Sequence, residues 1–321
     1  MTTLTRRGFA KSAIAAPVAA ASLATTATST SAGGHAAAPP ALYGAPLGSY
    51  TITSILDGIA PLGRQFFFGP DPAEIDAAAT EAGVGPDLLP APVSAFLLRS
   101  DNRTILVDAG MGDLDILGPG FGRLDAGLAA AGVAPAEVDT VIITHAHPDH
   151  IGGMLADGAP AFNNAEVVIA EAEAGFWTDA GIQAQAPEEA QGLFALVQGT
   201  LDAYGDQVTQ VGAGAEVAPG ITLSISAGHT PGHAHLMVDG GERQLLIVAD
   251  SMHSADLHTA IPEIGFGFDV DPGLAAESRR AMFDKVSADK MLIAGSHIHF
   301  PGFGRVLKSG DAFRYAPATW L

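Results

Sequence analysis

The segment from Thr144 to His150 carries a high density of side chains that could bind a metal ion. It reads Thr-His-Ala-His-Pro-Asp-His, with three imidazoles and one carboxylate in its last six residues. Neutral imidazole nitrogens and carboxylate oxygens are the donors that zinc and similar divalent ions prefer. The chain has 11 histidines in 321 residues, so chance alone would seldom place three of them this close together. The segment therefore predicts a metal site rather than a polar loop.

The spacing within this segment indicates ligands for two neighbouring cations. The segment directly follows the apolar run Val141–Ile143, which is typical of a buried strand. His145 and His147 are two residues apart, so on extended backbone both side chains point to the same side. Asp149 and His150 lie where the chain can turn into a helix and face a second point nearby. One segment is therefore expected to supply ligands to two adjacent metal ions.

Three further polar motifs each follow a predicted strand. Loops at strand ends are where a rigid sheet presents chemical groups. Each motif alone is a weak signal, because a lone aspartate after a strand is usually a turn or cap residue. Together with the first segment, they supply about as many ligands as two metal ions need. The motifs are Gly228–His233, which contains His229; Ala249–Ser251, which contains Asp250; and Gly295–His297.

Three other histidines leave alternatives open. His233 completes a His-x-x-x-His spacing with His229 and is interpreted as a structural histidine rather than a ligand. His299 lies two residues from His297 and competes with it, but His297 is favoured because it directly follows a predicted strand. His253 either contacts the substrate, transfers a proton or simply packs beside the site.

The composition limits the classes of partner. The formal net charge is −20, and a nucleic-acid surface would need basic patches, of which this chain has few. An anionic membrane surface is disfavoured for the same reason. Cysteine is absent, so disulfides, thiolate ligands and a cysteine nucleophile are excluded, and any metal site must consist of His and Asp. With 48% hydrophobic residues, the chain is expected to be globular, with one or two domains.

The N-terminal residues have the pattern of an export signal. Thr5–Lys11 fits the twin-arginine pattern, and the alanine-rich run Ser12–Ala24 is too short and too weakly apolar to span a bilayer stably. An ordinary disordered tail is the alternative. We expect residues 1–41 to be a signal peptide and linker and residues 42–321 to be the functional domain. The protein would then be periplasmic or secreted, with no stable membrane anchor.

A mixed α/β pattern positions these motifs. Two β-rich halves, each delivering ligands from strand ends, predict a two-sheet core with helices outside. Residues 57–91 are predicted as loop and helix. The predicted helices are Leu124–Ala131, Pro187–Tyr204 and Pro272–Val286. The predicted strands are Ser49–Leu56, Val93–Arg99, Thr104–Val107, Val141–Ile143, Glu166–Ala170, Ile221–Ala227, Leu236–Val238, Leu245–Ala249 and Lys290–Ala294.

The combination of motifs resembles the metallo-β-lactamase superfamily, whose His-x-His-x-Asp-His motif is matched from His145 to His150. The resemblance implies an α/β fold, the metallo-β-lactamase αβ/βα four-layer sandwich, with a dinuclear site at its edge. Two divalent ions are implied as cofactors. Zinc is the expected metal, and manganese, cobalt and iron are compatible with the same donors. By position, the resemblance implies His145, His147 and His229 on one metal, Asp149, His150 and His297 on the other, and Asp250 as the bridge.

A closer resemblance is to the exported branch that contains methyl parathion hydrolase and related lactonases and arylesterases. It rests on Ile55–Gly58, Leu106–Gly110, Leu117–Pro119, Gly122–Leu124 and Phe300–Gly304, and it implies a homodimer. His253 stands where the parathion enzyme has a leucine, and Phe268 replaces a smaller aliphatic residue, which favours lactones and aryl esters over organophosphates. The side chains that the resemblance and their apolar character place against the substrate are Leu117, Trp177, Phe194, Phe266 and Phe268.

The expected function is a dinuclear metal-dependent hydrolase that cleaves lactones or aryl esters, and organophosphate triesters as a side activity. A metal-bridging hydroxide would attack the carbonyl, with Asp149 or Asp250 accepting the proton and His253 near the substrate. The alternatives are a metallo-β-lactamase proper, a glyoxalase-type thioesterase and a mononuclear iron dioxygenase that acts on glutathione persulfide. A periplasmic metal-binding protein is the non-enzymatic alternative.

Overall fold

The computed structural model describes residues 39–69, 71–85 and 89–318. The predicted twin-arginine segment and most of the predicted linker lie outside these residues, so their assignment stays a prediction. Within the described ranges, no helix has the length and apolar character needed to cross a membrane.

The first half of the chain forms a seven-stranded sheet with the spatial order β1-β2-β4-β5-β6-β9-β10. Strands β5, β6, β9 and β10 are mutually parallel. The strands of this half are β1 (Leu42–Leu47), β2 (Tyr50–Leu62), β3 (Phe67–Phe68), β4 (Leu89–Ser100), β5 (Arg103–Val107), β6 (Thr140–Ile143), β7 (Leu155–Ala156), β8 (Ala159–Pro160), β9 (Glu166–Ala170) and β10 (Val208–Val211).

The second half forms another seven-stranded sheet, in the order β11-β12-β13-β14-β16-β17-β18. A short strand from each half, β3 and β15, pairs with the other outside the two large sheets. The strands of this half are β11 (Glu216–Ala218), β12 (Ile221–Ile225), β13 (Ala234–Asp239), β14 (Gln244–Ile247), β15 (Gly265–Phe266), β16 (Leu292–Ala294), β17 (Phe303–Ser309) and β18 (Ala312–Pro317).

Helices cover the outer faces of both sheets. Helices α2, α4 and α6 pack on the first sheet, and α8 packs on the second. The helices are α1 (Pro72–Glu81), α2 (Leu124–Ala130), α3 (Pro148–Ile151), α4 (Glu171–Thr178), α5 (Ala180–Gln183), α6 (Glu188–Tyr204), α7 (Ala255–Ala260) and α8 (Pro272–Ala288).

Alternation along the central strands decides which side chains lie between the sheets. In β6, Ile142 lies in the core shared by both sheets, whereas Val141 and Ile143 pack beneath the outer helices. In β14, Leu246 packs outward with residues of α8. Successive side chains of a strand point to opposite faces, so strands that are apolar at every position are buried on both sides. The result is helix, sheet, sheet and helix, and the predicted αβ/βα sandwich is confirmed.

The same local signal begins α1 and α8. The side chain of Asp71 accepts a hydrogen bond from the Ala73 N–H at 2.8 Å, and that of Asp271 accepts one from the Leu274 N–H at 3.0 Å. Each aspartate precedes a proline at the first helical position, where the missing N–H costs nothing. These caps fix where each helix starts, and α8 continues two residues beyond its predicted end at Val286.

The prediction for residues 57–91 was wrong at both ends. Strand β2 continues to Leu62 and β4 begins at Leu89, and the two pair across most of this length, with a bulge between Leu56 and Gly58. Several prolines and Gly58 weaken the local strand signal. The extension forms nonetheless because its buried side packs with α1 and α7 in a separate apolar cluster. Tertiary packing therefore outweighs local propensity here.

Replacing Ile142 by alanine tests the core between the sheets. Ile142 is 0% exposed, whereas Ile59, in the same sheet, is 53% exposed. We expect Ile142→Ala to lower the free energy of unfolding by about 2–5 kcal/mol, because it leaves a cavity. Ile59→Ala should change it by no more than about 0.5 kcal/mol. Denaturant unfolding at matched metal content measures both values, and equal losses would contradict the assigned layers.

Candidate metal centre

Four loops meet at one edge of the sandwich. Strand β13 is antiparallel to both β12 and β14, and β14 is parallel to β16, so β12, β14 and β16 run in one direction. The loops at their carboxyl ends carry His229, Asp250 and His297. The fourth loop follows β6, and its Thr144 carbonyl accepts a hydrogen bond from the Ala234 N–H at 2.9 Å. This bond joins the two sheets directly beside the His-rich segment.

The first cluster contains three imidazoles and one carboxylate. His147 Nδ1 lies 3.1 Å from His145 Nε2 and 2.9 Å from His229 Nε2. Oδ2 of Asp250 is 3.6 Å from His145 Nε2 and 3.3 Å from His229 Nε2. These four donor atoms all lie within 4.8 Å of one another, which is compatible with one shared cation.

The second cluster lies on the other side of Asp250. His297 Nε2 is 3.3 Å from Asp149 Oδ2, and His150 Nε2 is 3.6 Å from the same oxygen. Oδ1 of Asp250 is 3.2 Å from His150 Nε2. Asp250 therefore presents one oxygen to each cluster, although its Oδ2 also lies 3.0 Å from His297. This is the placement that a bridging carboxylate requires.

Outer acceptors fix which nitrogen of each imidazole faces the centre. Asp269 Oδ1 lies 2.8 Å from His229 Nδ1, and Asp108 Oδ2 lies 2.8 Å from His150 Nδ1. His297 Nδ1 lies 2.7 Å from the carbonyl oxygen of Pro92. An imidazole that donates through Nδ1 presents the lone pair of Nε2 once Nε2 has lost its proton, so the three rings are oriented to ligate through Nε2.

The nitrogen and oxygen atoms of the two clusters are arranged to bind two divalent ions rather than to form hydrogen bonds among themselves. His150 Nε2 and Asp250 Oδ1 are buried and have no hydrogen-bond partner, although they lie only 3.2 Å apart. A buried polar atom without a partner costs about 1–3 kcal/mol. In the first cluster, three ring nitrogens converge beside Oδ2 of Asp250. A cation about 2.0–2.2 Å from each donor would satisfy all of these atoms.

The carboxylates hold protons on some of these imidazoles when no cation is bound. Burial lowers the pKa of His229 and His297, but contacts with Asp250 and a second carboxylate outweigh burial and raise the pKa to about 9 and about 10, respectively. Burial and neighbouring imidazoles lower the pKa of His145 well below its usual value and that of His147 to about 3. The centre thus holds protons that a bound metal ion must displace.

His253 lies between the clusters and the aromatic wall. Its Nε2 is 3.0 Å from Asp250 Oδ2, and its ring stacks on Phe266 at 3.7 Å with an interplanar angle of 14°. The ring of His297 lies on its other side, at 5.2 Å. Its Nδ1 is buried without a hydrogen-bond partner, and burial lowers the pKa of His253 to about 4, so it is neutral at pH 7. His253 is therefore placed to contact both the centre and a bound substrate.

A cavity of about 480 Å³ opens onto both clusters. Its lining includes Asp149, Asp250 and His253. Within the described part of the chain, no Lys or Arg lines it, so its charged groups are carboxylates and histidines. The walls are mainly apolar, and they include Met111, Phe176 and Leu193, which the sequence did not single out. All five predicted substrate-facing residues line it, namely Leu117, Trp177, Phe194, Phe266 and Phe268.

A comparison with known protein families identifies the class to which this edge-of-sandwich site belongs. The sequence profile described as the metallo-β-lactamase superfamily matches residues 88–297, which is more than half of the chain. The chain belongs to the metallo-β-lactamase superfamily. The resemblance predicted from the His-rich motif is confirmed.

Known relatives of this superfamily chain include lactonases. N-acyl homoserine lactonase AiiA of Bacillus thuringiensis subsp. kurstaki is 25% identical over 254 residues, which cover 73% of this chain and 92% of the relative. A second N-acyl homoserine lactonase, from a Bacillus species, is 26% identical over 230 residues, covering 66% and 83%.

Two solved structures share most of the fold. A hydrolase of the β-lactamase superfamily, AbOPH, superposes with a TM-score of 0.82 at 27% identity and covers 87% of this chain and 98% of its own. AidC, described as a dizinc quorum-quenching lactonase in complex with a product, has a TM-score of 0.81 at 24% identity and covers 88% and 99%. At that identity, AidC supports the superfamily fold alone.

The structure separates the competing histidines of this superfamily site. His233 is buried, and its Nε2 accepts a hydrogen bond from the Asp250 N–H at 3.1 Å, while Nδ1 lies 3.0 Å from the Ser226 carbonyl. It orients Asp250 rather than facing either cluster. The side chain of His299 is 59% exposed and lies 3.3 Å from Asp256. His297, not His299, reaches the centre, and the ligand roles themselves stay predictions.

Sequence reasoning missed several groups that support the metallo-β-lactamase site. Asp57 is buried and accepts hydrogen bonds from the N–H groups of Met111 and Leu124, both at 2.9 Å, which holds the loop carrying Leu117. The bulge in β2 beside Asp57 was not visible in the residue pattern. Asp108 belonged to a segment used for the resemblance but had no assigned role. Asp269 stands in a loop without any local motif.

Metal loading should release protons and strengthen as the pH rises. Contacts with carboxylates raise the pKa of His229 to about 9, that of His297 to about 10 and that of His150 well above its usual value, so all three are protonated at pH 7 before a cation binds. Each must lose its proton to become a ligand, so raising the pH toward these values removes the competing proton. Calorimetric zinc titration of the metal-free protein in buffers of different ionisation enthalpy should show about three protons released per chain. Release of none, with affinity independent of pH from 6 to 9, would contradict this arrangement.

Proposed function

We propose that this protein is a dinuclear metal-dependent hydrolase that opens lactones and cleaves aryl esters, with zinc as the expected metal. The observation that carries the proposal is the Asp250 carboxylate, which presents one oxygen to each ligand cluster beneath an apolar cavity. The similarity to N-acyl homoserine lactonases supports a lactone as the substrate class.

The centre would supply the nucleophile, and the chain's residues would place the substrate beside it. Two divalent ions held by these clusters would supply a hydroxide near neutral pH and would polarise the carbonyl oxygen of the substrate. The side chain of Asp149 is 16% exposed, whereas that of Asp250 is 3% exposed, so Asp149 is the more accessible carboxylate. Asp149 therefore accepts the proton when the tetrahedral intermediate collapses and delivers it to the leaving alcohol.

The walls of the cavity fit an uncharged substrate with an apolar arm. Trp177 and Phe194 pack against each other with ring centroids 4.9 Å apart, and Trp177 lies 5.8 Å from His147. Phe266 and Phe268 form another aromatic pair, with ring centroids 5.4 Å apart. Burying an alkyl or aryl group here gains about 25 cal/mol for each Å² removed from water. That gain holds the ester carbonyl near the centre without a charged contact.

The charge of the cavity disfavours the rival hydrolases. β-Lactam antibiotics and glutathione thioesters carry carboxylates, which bind best to Arg or Lys. No such side chain is present among the described residues that line the cavity. A mononuclear iron dioxygenase would leave the second ligand cluster without a role. A lactone, an aryl ester or a phosphotriester carries no negative charge, and lactones have the additional support of the relatives.

The cellular setting belongs to the same proposal. The twin-arginine pattern of Thr5–Lys11 supports export of the folded, metal-loaded protein to the periplasm or beyond. A homodimer is proposed from the resemblance to the exported branch.

Disabling both clusters should abolish hydrolysis. We expect the double variant His147→Ala/Asp149→Ala to lose lactone turnover by at least about 10³-fold, because losing a single donor that stabilises the oxyanion already costs about 10²–10³. His299→Ala is the matched control, since His299 lies outside the centre, and it should keep parental turnover. Chelation should inactivate the parent, and added zinc or manganese should restore it.

A substrate panel distinguishes the rivals. The parent should cleave lactones and aryl esters faster than phosphotriesters, and should show little activity on nitrocefin, a β-lactam that carries a carboxylate. Undiminished turnover by the double variant would refute metal-dependent hydrolysis. A preference for nitrocefin would favour the β-lactamase alternative.

His253→Leu should shift the preference away from lactones and toward phosphotriesters. The change removes the imidazole that lies 3.0 Å from Asp250 and substitutes an apolar wall. The lost hydrogen bond is the one between His253 and the charged Asp250 carboxylate, and such a bond is worth about 1.5–3 kcal/mol. The lactone-to-phosphotriester activity ratio should therefore fall roughly tenfold or more. His299→Leu replaces an exposed imidazole that does not line the cavity and should leave the ratio unchanged. Equal ratios in all three proteins would show that His253 does not face the substrate.

A further inference from the structure

Glu173, in α4, is a buried carboxylate that contacts the first ligand cluster only through the backbone and side chains around it. It is 0% exposed. Its Oε1 accepts hydrogen bonds from the Ala146 N–H and the Trp177 indole N–H, both at 2.8 Å. Its Oε2 accepts the Thr230 hydroxyl at 2.6 Å and the Gly232 N–H at 3.0 Å. These four bonds occupy both oxygens of the carboxylate.

Three of the four donors come from the two loops that carry the histidines of the first cluster, and the fourth, Trp177, lies in α4 itself. Ala146 lies between His145 and His147, and Thr230 directly follows His229. One loop comes from the first sheet and the other from the second. The Glu173 carboxylate therefore sets the spacing between His147 and His229, whose ring nitrogens are 2.9 Å apart.

The loop packs directly on the backbone of α4. A Cβ added to Gly232 would lie 2.1 Å from the backbone nitrogen of Glu173 and 2.5 Å from its Cα. Only a glycine permits this approach, and the approach lets the Gly232 N–H reach the carboxylate. The contact is short and rigid, so a small change at Glu173 moves the His229 loop.

Among the described residues, no ion pair cancels the charge of Glu173. All four of its donors are neutral N–H or O–H groups. Keeping a buried carboxylate ionised is costly, and a cation held in the adjacent cluster offsets part of that cost. The loop donors to Glu173 lie beside His145, His147 and His229, and none of the hydrogen bonds among the described residues joins it to the loop of His297, so we expect the effect mainly on the first cluster.

We propose that Glu173 is a positioning residue for the cation held by His145, His147 and His229, and that it aligns this cation with the Trp177 wall. The proposal rests on the binuclear centre proposed above but not on which ester or lactone is cleaved. Glu173 acts through the groups that it holds, and it contacts neither a metal ligand side chain nor the substrate.

Two single-cluster backgrounds test the assignment by zinc affinity, measured by competition with a chromophoric chelator. Asp149→Ala weakens the second cluster, and His147→Ala weakens the first. Glu173→Gln keeps the size of the side chain but puts an amide NH₂ where two donors already point. In the Asp149→Ala background, Glu173→Gln should weaken zinc binding at the first cluster about 10–100-fold, the range typical of losing a group outside the ligands that orients them. In the His147→Ala background, the effect should be within about twofold.

Glu171→Gln is the matched control. Glu171 lies in the same helix, two residues away, and is exposed. It should leave zinc affinity unchanged in both backgrounds. Trp177 is one of two tryptophans in the chain, so the tryptophan fluorescence of a Trp320→Phe protein comes from Trp177 alone. Its fluorescence should respond to zinc, and Glu173→Gln should abolish that response while Glu171→Gln retains it.

Three results would overturn the proposal. The first is that Glu173→Gln leaves zinc affinity unchanged in the Asp149→Ala background. The second is that Glu173→Gln lowers zinc affinity equally in both backgrounds, which would indicate a purely structural role. If Glu173→Gln does not fold, Thr230→Val removes one hydrogen-bond donor to Glu173 and should weaken zinc binding at the first cluster several-fold. The third contradicting result is a Thr230→Val protein whose zinc affinity equals that of the parent. A parent protein that binds fewer than two ions would instead refute the binuclear centre itself.

Discussion

The Asp250 carboxylate lies 3.0–3.6 Å from the ring nitrogens of five histidines. Its own backbone N–H donates to a sixth, His233. Few side chains in a protein interior share so many polar neighbours, and protons alone cannot pair all of them. The arrangement becomes stable when divalent charge enters on both sides of the carboxylate. The rest of the architecture serves to hold this one group in place.

That demand explains the layout of the fold. Three parallel strand ends of the second sheet and one of the first deliver the proposed ligands to a single edge. Carboxylates in the next layer, Asp108, Asp269 and Glu173, then fix rings and loops rather than binding metal themselves. The buried guanidinium of Arg279 donates to the Ser251 carbonyl at 2.6 Å and to the Ile264 carbonyl at 2.6 Å, so it holds the turn after Asp250 and the chain leading to the aromatic wall.

The sequence predicted the parts of the molecule that are local. The ligand segment from His145 to His150 was readable because its donors are adjacent and follow an apolar strand. The central strands and α8 were readable from alternation and from the Asp-Pro start of the helix. Strand extensions around Gly58 and Leu89 were not, because the packing that stabilises them comes from distant helices.

The supporting groups were also beyond local reading. Glu173 and Asp269 stand in stretches with no motif. Glu173 gains a role only when folding brings Ala146 and Gly232, which are 27 and 59 residues away, into contact with it. Asp269 gains one only when folding brings His229, 40 residues away, into contact. His253 was identified as a candidate but not placed, since its stacking on Phe266 depends on how the two loops pack. Competition between His297 and His299 was resolved by burial, which the two-residue spacing alone could not decide.

The central claim is that two cations share the Asp250 carboxylate. Anomalous diffraction from metal-loaded crystals, collected at the absorption edge of the bound metal, tests it most directly. The structure predicts two peaks about 3.5–4 Å apart, as in other two-metal sites, one beside His147 and one beside His150, with an Asp250 oxygen on each. A single peak, or a pair of peaks of which one does not contact Asp250, would contradict the claim.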